Sequence, residues 1–141
     1  LNEFVSEIDD KYDLIVSNPP FYAEMVPSGN ESRDIARQSR SLPFEELLTG
    51  VVKLLAKNGT FSTIIPFKEE ARFLDLAAAI NLYPRRLLRI KGNPNSGIKR
   101  SMLELQFGKT SVEIENLTIE LARHQYTEEY VELTRDYYLK M

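Results

Sequence analysis

Residues 11–22 read KYDLIVSNPPFY, and the fold turns on this stretch. Within it, 13–17 (DLIVS) is a short apolar run, uncharged after Asp13, that stops at Asn18-Pro19-Pro20. Proline cannot donate to a sheet ladder, so the pattern predicts a buried strand over 13–17, closed by the prolines and followed by a loop. Residues 21–41 mix Gly, Pro, Ser and Asn with Arg33, Arg37 and Arg40 and show little apolar periodicity, which reads as a long, polar, basic loop.

Downstream, Phe44, Leu47, Leu48, Val51, Val52, Leu54 and Leu55 recur at helical spacing, with Pro43 near the first turn and Asn58-Gly59 as a stop, so a helix is expected over 43–57. Residues 60–66 (TFSTIIP) are rich in strand formers, and 68–82 carry a helical pattern through Phe73, Leu74, Leu76, Ala77 and Ile80. Residues 86–91 and 102–107 flank a loop containing Gly92, Pro94 and Gly97, the signature of a wide hairpin. The stretch 112–121 alternates, and a helix is expected over 127–139 with Glu128 and Glu129 in its first turn. On that helix, Tyr126, Tyr130, Tyr137 and Tyr138 with Leu133 and Leu139 read as a packing face. Strand, helix, strand, helix and hairpin together predict an α/β fold of parallel strands, helices packed on them and an antiparallel hairpin at one side. Ligands of such sheets bind at the carboxyl ends of the strands, where Asn18-Pro19-Pro20-Phe21 are the chemically unusual residues.

Composition bounds the function. A chain of 141 residues is one domain in size, and 43% hydrophobic with 28% charged residues is a globular composition. No uncharged apolar run approaches the length of a membrane span. The absence of cysteine removes disulfides, thiolate metal sites and a cysteine nucleophile, and a cytoplasmic location is expected. The chain opens on Leu1 without a secretion signal, so an internal start is expected. Residues 84–100 hold Arg85, Arg86, Arg89, Lys91, Lys99 and Arg100 and no acid, so +6 lies there and −9 elsewhere in a chain of net charge −3. Such a cluster serves a phosphate-contacting surface or a solvated hairpin equally well. His124 is the one histidine; without a paired nucleophile or second ligand it reads as a polar surface residue.

An Asp-led apolar strand running into Asn18-Pro19-Pro20-Phe21 resembles the signature of the Rossmann-like amino-methyltransferases that use S-adenosylmethionine. The chemistry explains the residue types. An amine conjugated to an aromatic ring is a poor nucleophile because its lone pair is delocalised, and two acceptors aimed at its hydrogens localise that pair. The resemblance implies that the Asn18 side-chain oxygen and the Pro19 carbonyl are those acceptors, that Pro19 and Pro20 stiffen the turn, and that Phe21 stacks on the target base. Residues 31–48 (ESRDIARQSRSLPFEELL), 98–107 (IKRSMLELQF), LTIEL and YTEEYVELTRDYYLKM extend the similarity to the bacterial adenine-N6 methyltransferases of valine transfer RNA.

By that resemblance the chain is the C-terminal half of a Rossmann-like class I methyltransferase. The strands that bind S-adenosylmethionine would precede Leu1, leaving Asn18 as its cofactor-contacting residue. No strand of this chain leads into a glycine-rich turn, and no acid is assignable to the cofactor ribose. The resemblance further implies a transfer RNA partner held by Arg33, Arg37, Arg40, Arg85, Arg86, Lys99 and Arg100, with no metal and no membrane. The strand at 13–17 would then expose an unpaired edge, which either continues into a longer chain or pairs with another copy. Two other readings stay open: an amino-methyltransferase of release-factor glutamine or ribosomal RNA guanine, and a non-catalytic RNA-binding fragment.

Overall fold

The structure, a computed structural model, describes residues 10–20 and 43–138. The elements in chain order are β1 (Tyr12–Ser17), α1 (Phe44–Leu54), β2 (Leu55–Pro66), a 3-10 turn (Phe67–Glu69), α2 (Glu70–Ala78), β3 (Leu82–Lys91), β4 (Ile98–Phe107), β5 (Glu113–Thr118), β6 (Glu120–Ala122), β7 (Gln125–Tyr126), α3 (Glu128–Thr134) and a last 3-10 turn (Arg135–Tyr137). Five strands form one mixed sheet in the order β1-β2-β4-β3-β5, while β6 and β7 make a separate hairpin. Strands β1 and β2 run parallel, β2, β4 and β3 alternate antiparallel, and β5 returns parallel to β3. The expected α/β class, with parallel strands and an antiparallel hairpin, is therefore what the chain adopts.

Both main helices cover one face of the sheet. Helix α1 buries Phe44, Leu47, Leu48, Val51 and Leu54, and α2 buries Glu70, Phe73 and Ala77. They meet edge to face through Phe44 and Phe73, whose ring centroids lie 4.9 Å apart at 88°. Beneath them, Phe61 and Ile65 of β2, Leu87 of β3 and Leu103 and Leu105 of β4 complete the core. Each fully buried Leu, Ile or Phe there contributes on the order of 1.5–3 kcal/mol.

Element ends differ from the sequence pattern for identifiable reasons. Helix α1 stops at Leu54, before Asn58-Gly59, because Leu55 turns extended (φ −81°, ψ 129°) and is buried as part of β2. The β1–β2 register jumps from Tyr12↔Leu55 to Leu14↔Thr60, so Ala56 to Gly59 bulge out of the ladder. A Cβ on Gly59 would sit 2.7 Å from Leu55 Cδ1 and 3.0 Å from the Tyr12 carbonyl oxygen, so this close approach needs glycine. Helix α2 ends at Ala78, and Asn81 takes the left-handed conformation (φ 67°) that turns the chain into β3. The alternating stretch 112–121 divides at Ile119 between β5 and β6. Thr127 caps α3, accepting from the Tyr130 N–H at 3.2 Å and donating to the Thr118 carbonyl at 2.5 Å.

Two expectations are corrected. The strand at 13–17 is not buried: Leu14 and Val16 are 60% and 70% exposed, since they point to the sheet face that α1 and α2 leave uncovered. The tyrosine-rich C-terminal segment is not a packing face either. Tyr137 is 87% exposed, and Tyr126, Tyr138 and Leu133 are exposed too, because α3 is short and meets the sheet mainly through β5. The Tyr126 and Tyr130 rings meet at a tilt of 43° with centroids 5.3 Å apart, and the Tyr130 and Tyr138 hydroxyls lie 3.3 Å apart at the surface. Leu139 lies outside the described residues.

Candidate active site

Strand β1 ends at Ser17, whose last ladder partner is Thr63. Asn18 follows at once and is exposed, Pro19 is buried and Pro20 is exposed. Pro19 ends the strand for want of an N–H and holds Asn18, the residue before it, in extended backbone. Asn18 is thereby carried at the carboxyl end of β1 on a short, conformationally restricted segment.

Beyond it lies a cavity of about 330 Å³ lined by Asn18, Pro19, Ile64, Pro66 and Arg100. Its walls come from the ends of three adjacent strands. Pro66 faces Arg100, and Ile64 faces Met102, across the β2–β4 ladder, so Ile64 and Arg100 share the sheet face turned away from α1 and α2. Ile64 and Pro66 were not among the expected site residues. Their signal was a second proline-terminated strand, TFSTIIP, but only the neighbouring of β1 and β2 brings it beside Asn18.

The sheet beside this cavity is locked from its other face. Glu70, at the start of α2, is 6% exposed and accepts from Arg89 Nη2 at 2.7 Å, Arg89 Nε at 3.3 Å and the Ser101 hydroxyl at 2.6 Å. Burial works against ionisation of Glu70, but the hydrogen bonds from Arg89 and Ser101, with the Arg89 charge, outweigh it and hold the carboxyl below its ordinary pKa. Arg89 also lies over the Phe67 ring at 5.4 Å. Sequence reading missed Glu70 because nothing at 19 and 31 residues' separation marks Arg89 and Ser101 as its partners.

The basic stretch 84–100, continuous in sequence, is two groups in space. Arg85 pairs with Glu104 at 3.1 Å and Arg86 with Glu115 at 3.2 Å. Arg86 stands opposite Glu104 on β4, four residues from Arg100, which is roughly 13 Å along a strand at about 3.3 Å per residue. Arg100 is thus at the Asn18 end of the sheet, with Lys99 adjoining it, and Arg85 and Arg86 are at the middle of β3. His124 is exposed, in a turn with φ 64°. Phe21, Arg33, Arg37 and Arg40 lie outside the described residues. Among the described residues no cluster of three or more His, Cys, Asp or Glu could hold a metal, and no helix is long and apolar enough to cross a membrane.

No family model matches the chain. It is similar along its whole length to a tRNA1(Val) (adenine(37)-N6)-methyltransferase of Flavobacterium johnsoniae, at 51% identity over 60% of that protein. Proteins of the same name from Christiangramia forsetii and Bacteroides fragilis are 49% and 43% identical, over 99% and 93% of this chain and 59% and 55% of their own. Among solved structures, one described as a predicted O-methyltransferase from Agrobacterium tumefaciens shares the fold with a TM-score of 0.61 at 13% identity, covering 90% of this chain and 52% of that one. The M1.HpyAVI complex with SAM aligns with a TM-score of 0.53 at 11% identity, over 78% of this chain and 51% of its own. The chain spans about 60% of the length of the curated relatives it matches first. In sequence the chain is thus similar throughout to a stretch making up about 60% of proteins named tRNA1(Val) (adenine(37)-N6)-methyltransferase, and over 78–90% of its length it shares the fold of the two solved structures.

Proposed function

We propose that this chain carries the amine-accepting side of an S-adenosylmethionine-dependent adenine-N6 methyltransferase, acting on the adenine beside the anticodon of valine transfer RNA in the cytoplasm. The observation that carries the reading is the 51% identity, over the whole chain, with relatives bearing that name. The setting of Asn18-Pro19-Pro20 at a strand's carboxyl end, beside a cavity, agrees with it.

In this mechanism the Asn18 side-chain oxygen and the Pro19 carbonyl accept the two hydrogens of the adenine amine. That draws the lone pair out of conjugation and towards the incoming methyl group. Pro19 and Pro20 keep the two acceptors fixed before the base arrives, so little reorganisation is needed as charge develops on nitrogen. Phe21 stacks on the base. S-adenosylmethionine, when bound, supplies an electrophilic methyl group on its sulfonium. Forming the new N–C bond would break the S–C bond and release the cofactor as a neutral thioether, the extra proton on nitrogen would pass to water, and Asn18, with no ionisable group, keeps its role at any physiological pH.

The residues lining the cavity fit only part of that cofactor. Asn18 offers a polar contact at the reacting end, while none of the five is an acid for a ribose and none belongs to a glycine-rich turn. We infer that the share of the relatives' length that this chain does not span supplies the rest of the pocket. The test is methyl transfer by the full-length protein to valine transfer RNA, with the target adenine free or blocked at N6. Transfer to the free RNA alone is expected; equal transfer to both, or transfer only to a guanine or a glutamine, overturns the reading.

A further inference from the structure

The six cations of 84–100 divide by use. Three are paired: Arg85 with Glu104 and Arg86 with Glu115 at the surface, and Arg89 with the buried Glu70, all within 3.2 Å of a carboxylate oxygen. Lys91, Lys99 and Arg100 have no ion pair among the described residues. Of these, Arg100 alone lines the cavity that Asn18 opens into.

The cavity wall defines what Arg100 is available for. Pro19 and Pro66 have no backbone N–H, and Ile64 has no polar side chain, so among the described lining residues the Asn18 amide and the Arg100 guanidinium are the only side-chain donors. The Arg100 backbone is fixed at this place. Next to it, Ser101 is fully buried and hydrogen-bonded to Glu70, which Arg89 grips in turn, and Arg100 itself faces Pro66 across the ladder. An exposed, unpaired guanidinium on a fixed strand, beside an acceptor for an amine, is arranged to take an oxyanion with its planar fork.

We propose that Arg100 holds a phosphate of the target nucleotide or its immediate neighbour, so that Asn18 and Arg100 grip the base amine and the RNA backbone from adjoining walls of one cavity. The proposal rests on the adenine-methylation reading above and adds to it the group that anchors the RNA backbone. It also separates Arg100 from Arg85 and Arg86, which lie about four residues further along the sheet and pair with Glu104 and Glu115. The alternative oxyanion is the carboxylate of S-adenosylmethionine, and the kinetics distinguish the two.

In the full-length protein, Arg100→Gln is expected to raise KM for valine transfer RNA about 10-fold while changing kcat and KM for S-adenosylmethionine less than threefold. The slope of log binding constant against log salt should fall by roughly 0.7 to 0.9, the loss of one phosphate contact. Arg100→Lys should restore most of the salt slope but only part of the affinity, since an ammonium keeps the charge without the fork. Thermal stability should match wild type, because the side chain is exposed and unpaired. A raised KM for S-adenosylmethionine with RNA binding intact assigns Arg100 to the cofactor carboxylate and overturns the proposal. Unchanged RNA affinity and salt slope in an active enzyme overturn it as well, while leaving the methylation reading standing. A wild-type protein that methylates no transfer RNA overturns both.

Discussion

Glu70 is a charged residue placed where charge is costly, and its three donors make that tenable. Because its folded pKa lies below its unfolded value, its contribution to stability is complete above the ordinary carboxylate range and is lost as pH falls through the depressed folded value. Glu70→Gln should cost about 1–3 kcal/mol at pH 7, and its stability gap to wild type should narrow steadily in denaturant titrations carried towards pH 3. A gap independent of pH would mean that Glu70 acts by shape alone. Thr63 is the opposite case: its hydroxyl is buried with no partner among the described residues, so Thr63→Val should leave Tm unchanged or raise it by a few degrees. For Phe21, Phe21→Tyr should keep most activity and Phe21→Ala should lose about 1–3 kcal/mol of base stacking, read from kcat/KM. Residues whose meaning is local were legible in the sequence: Asn18 announces itself by the prolines after it and the strand before it. Glu70, Pro66 and Arg100 take their roles from strand neighbours that no local pattern specifies.

At the level of elements, the order strand, helix, strand, helix, hairpin was legible because the period of the apolar residues changes cleanly between them. The joints were not. Apolar residues run from Val51 to Leu55 with only Lys53 between them, so periodicity alone carries α1 past the point where Leu55 enters β2. The bulge at Ala56 to Gly59 absorbs that transition and brings Gly59 against the Tyr12 carbonyl. Gly59→Ala should therefore force β1 and β2 apart locally and lower stability by about 1–3 kcal/mol. Hydrogen exchange should show faster opening of Leu14 to Val16 in this variant; protection equal to wild type would show that the flexible end of Leu55 yields at no cost. The tyrosine face failed as an expectation for a related reason. Helical spacing reports which residues share a side, and says nothing of whether another layer covers it.

Across the whole molecule, one sheet face is covered by α1 and α2, while the other presents Leu14, Val16 and Met102 at 60%, 70% and 42% exposure. The outer edge of β1 has no partner among the described residues. Exposed apolar residues beside an open strand edge make a surface on which further structure can dock, and sheets with parallel strands are ordinarily covered on both faces. If the remaining length of the relatives supplies that cover and most of the cofactor pocket, the 141-residue chain alone should show no measurable heat on titration with S-adenosylmethionine, whereas the full-length protein binds it. Micromolar binding by the short chain would place the pocket among residues given other roles here. The central claim, that Asn18 activates the adenine amine, has a more direct test in the single-turnover rate of methyl transfer to valine transfer RNA by full-length Asn18→Ala. A rate roughly 100-fold to 1,000-fold below wild type, with unaltered thermal stability and RNA affinity, is predicted; a rate equal to wild type would contradict it.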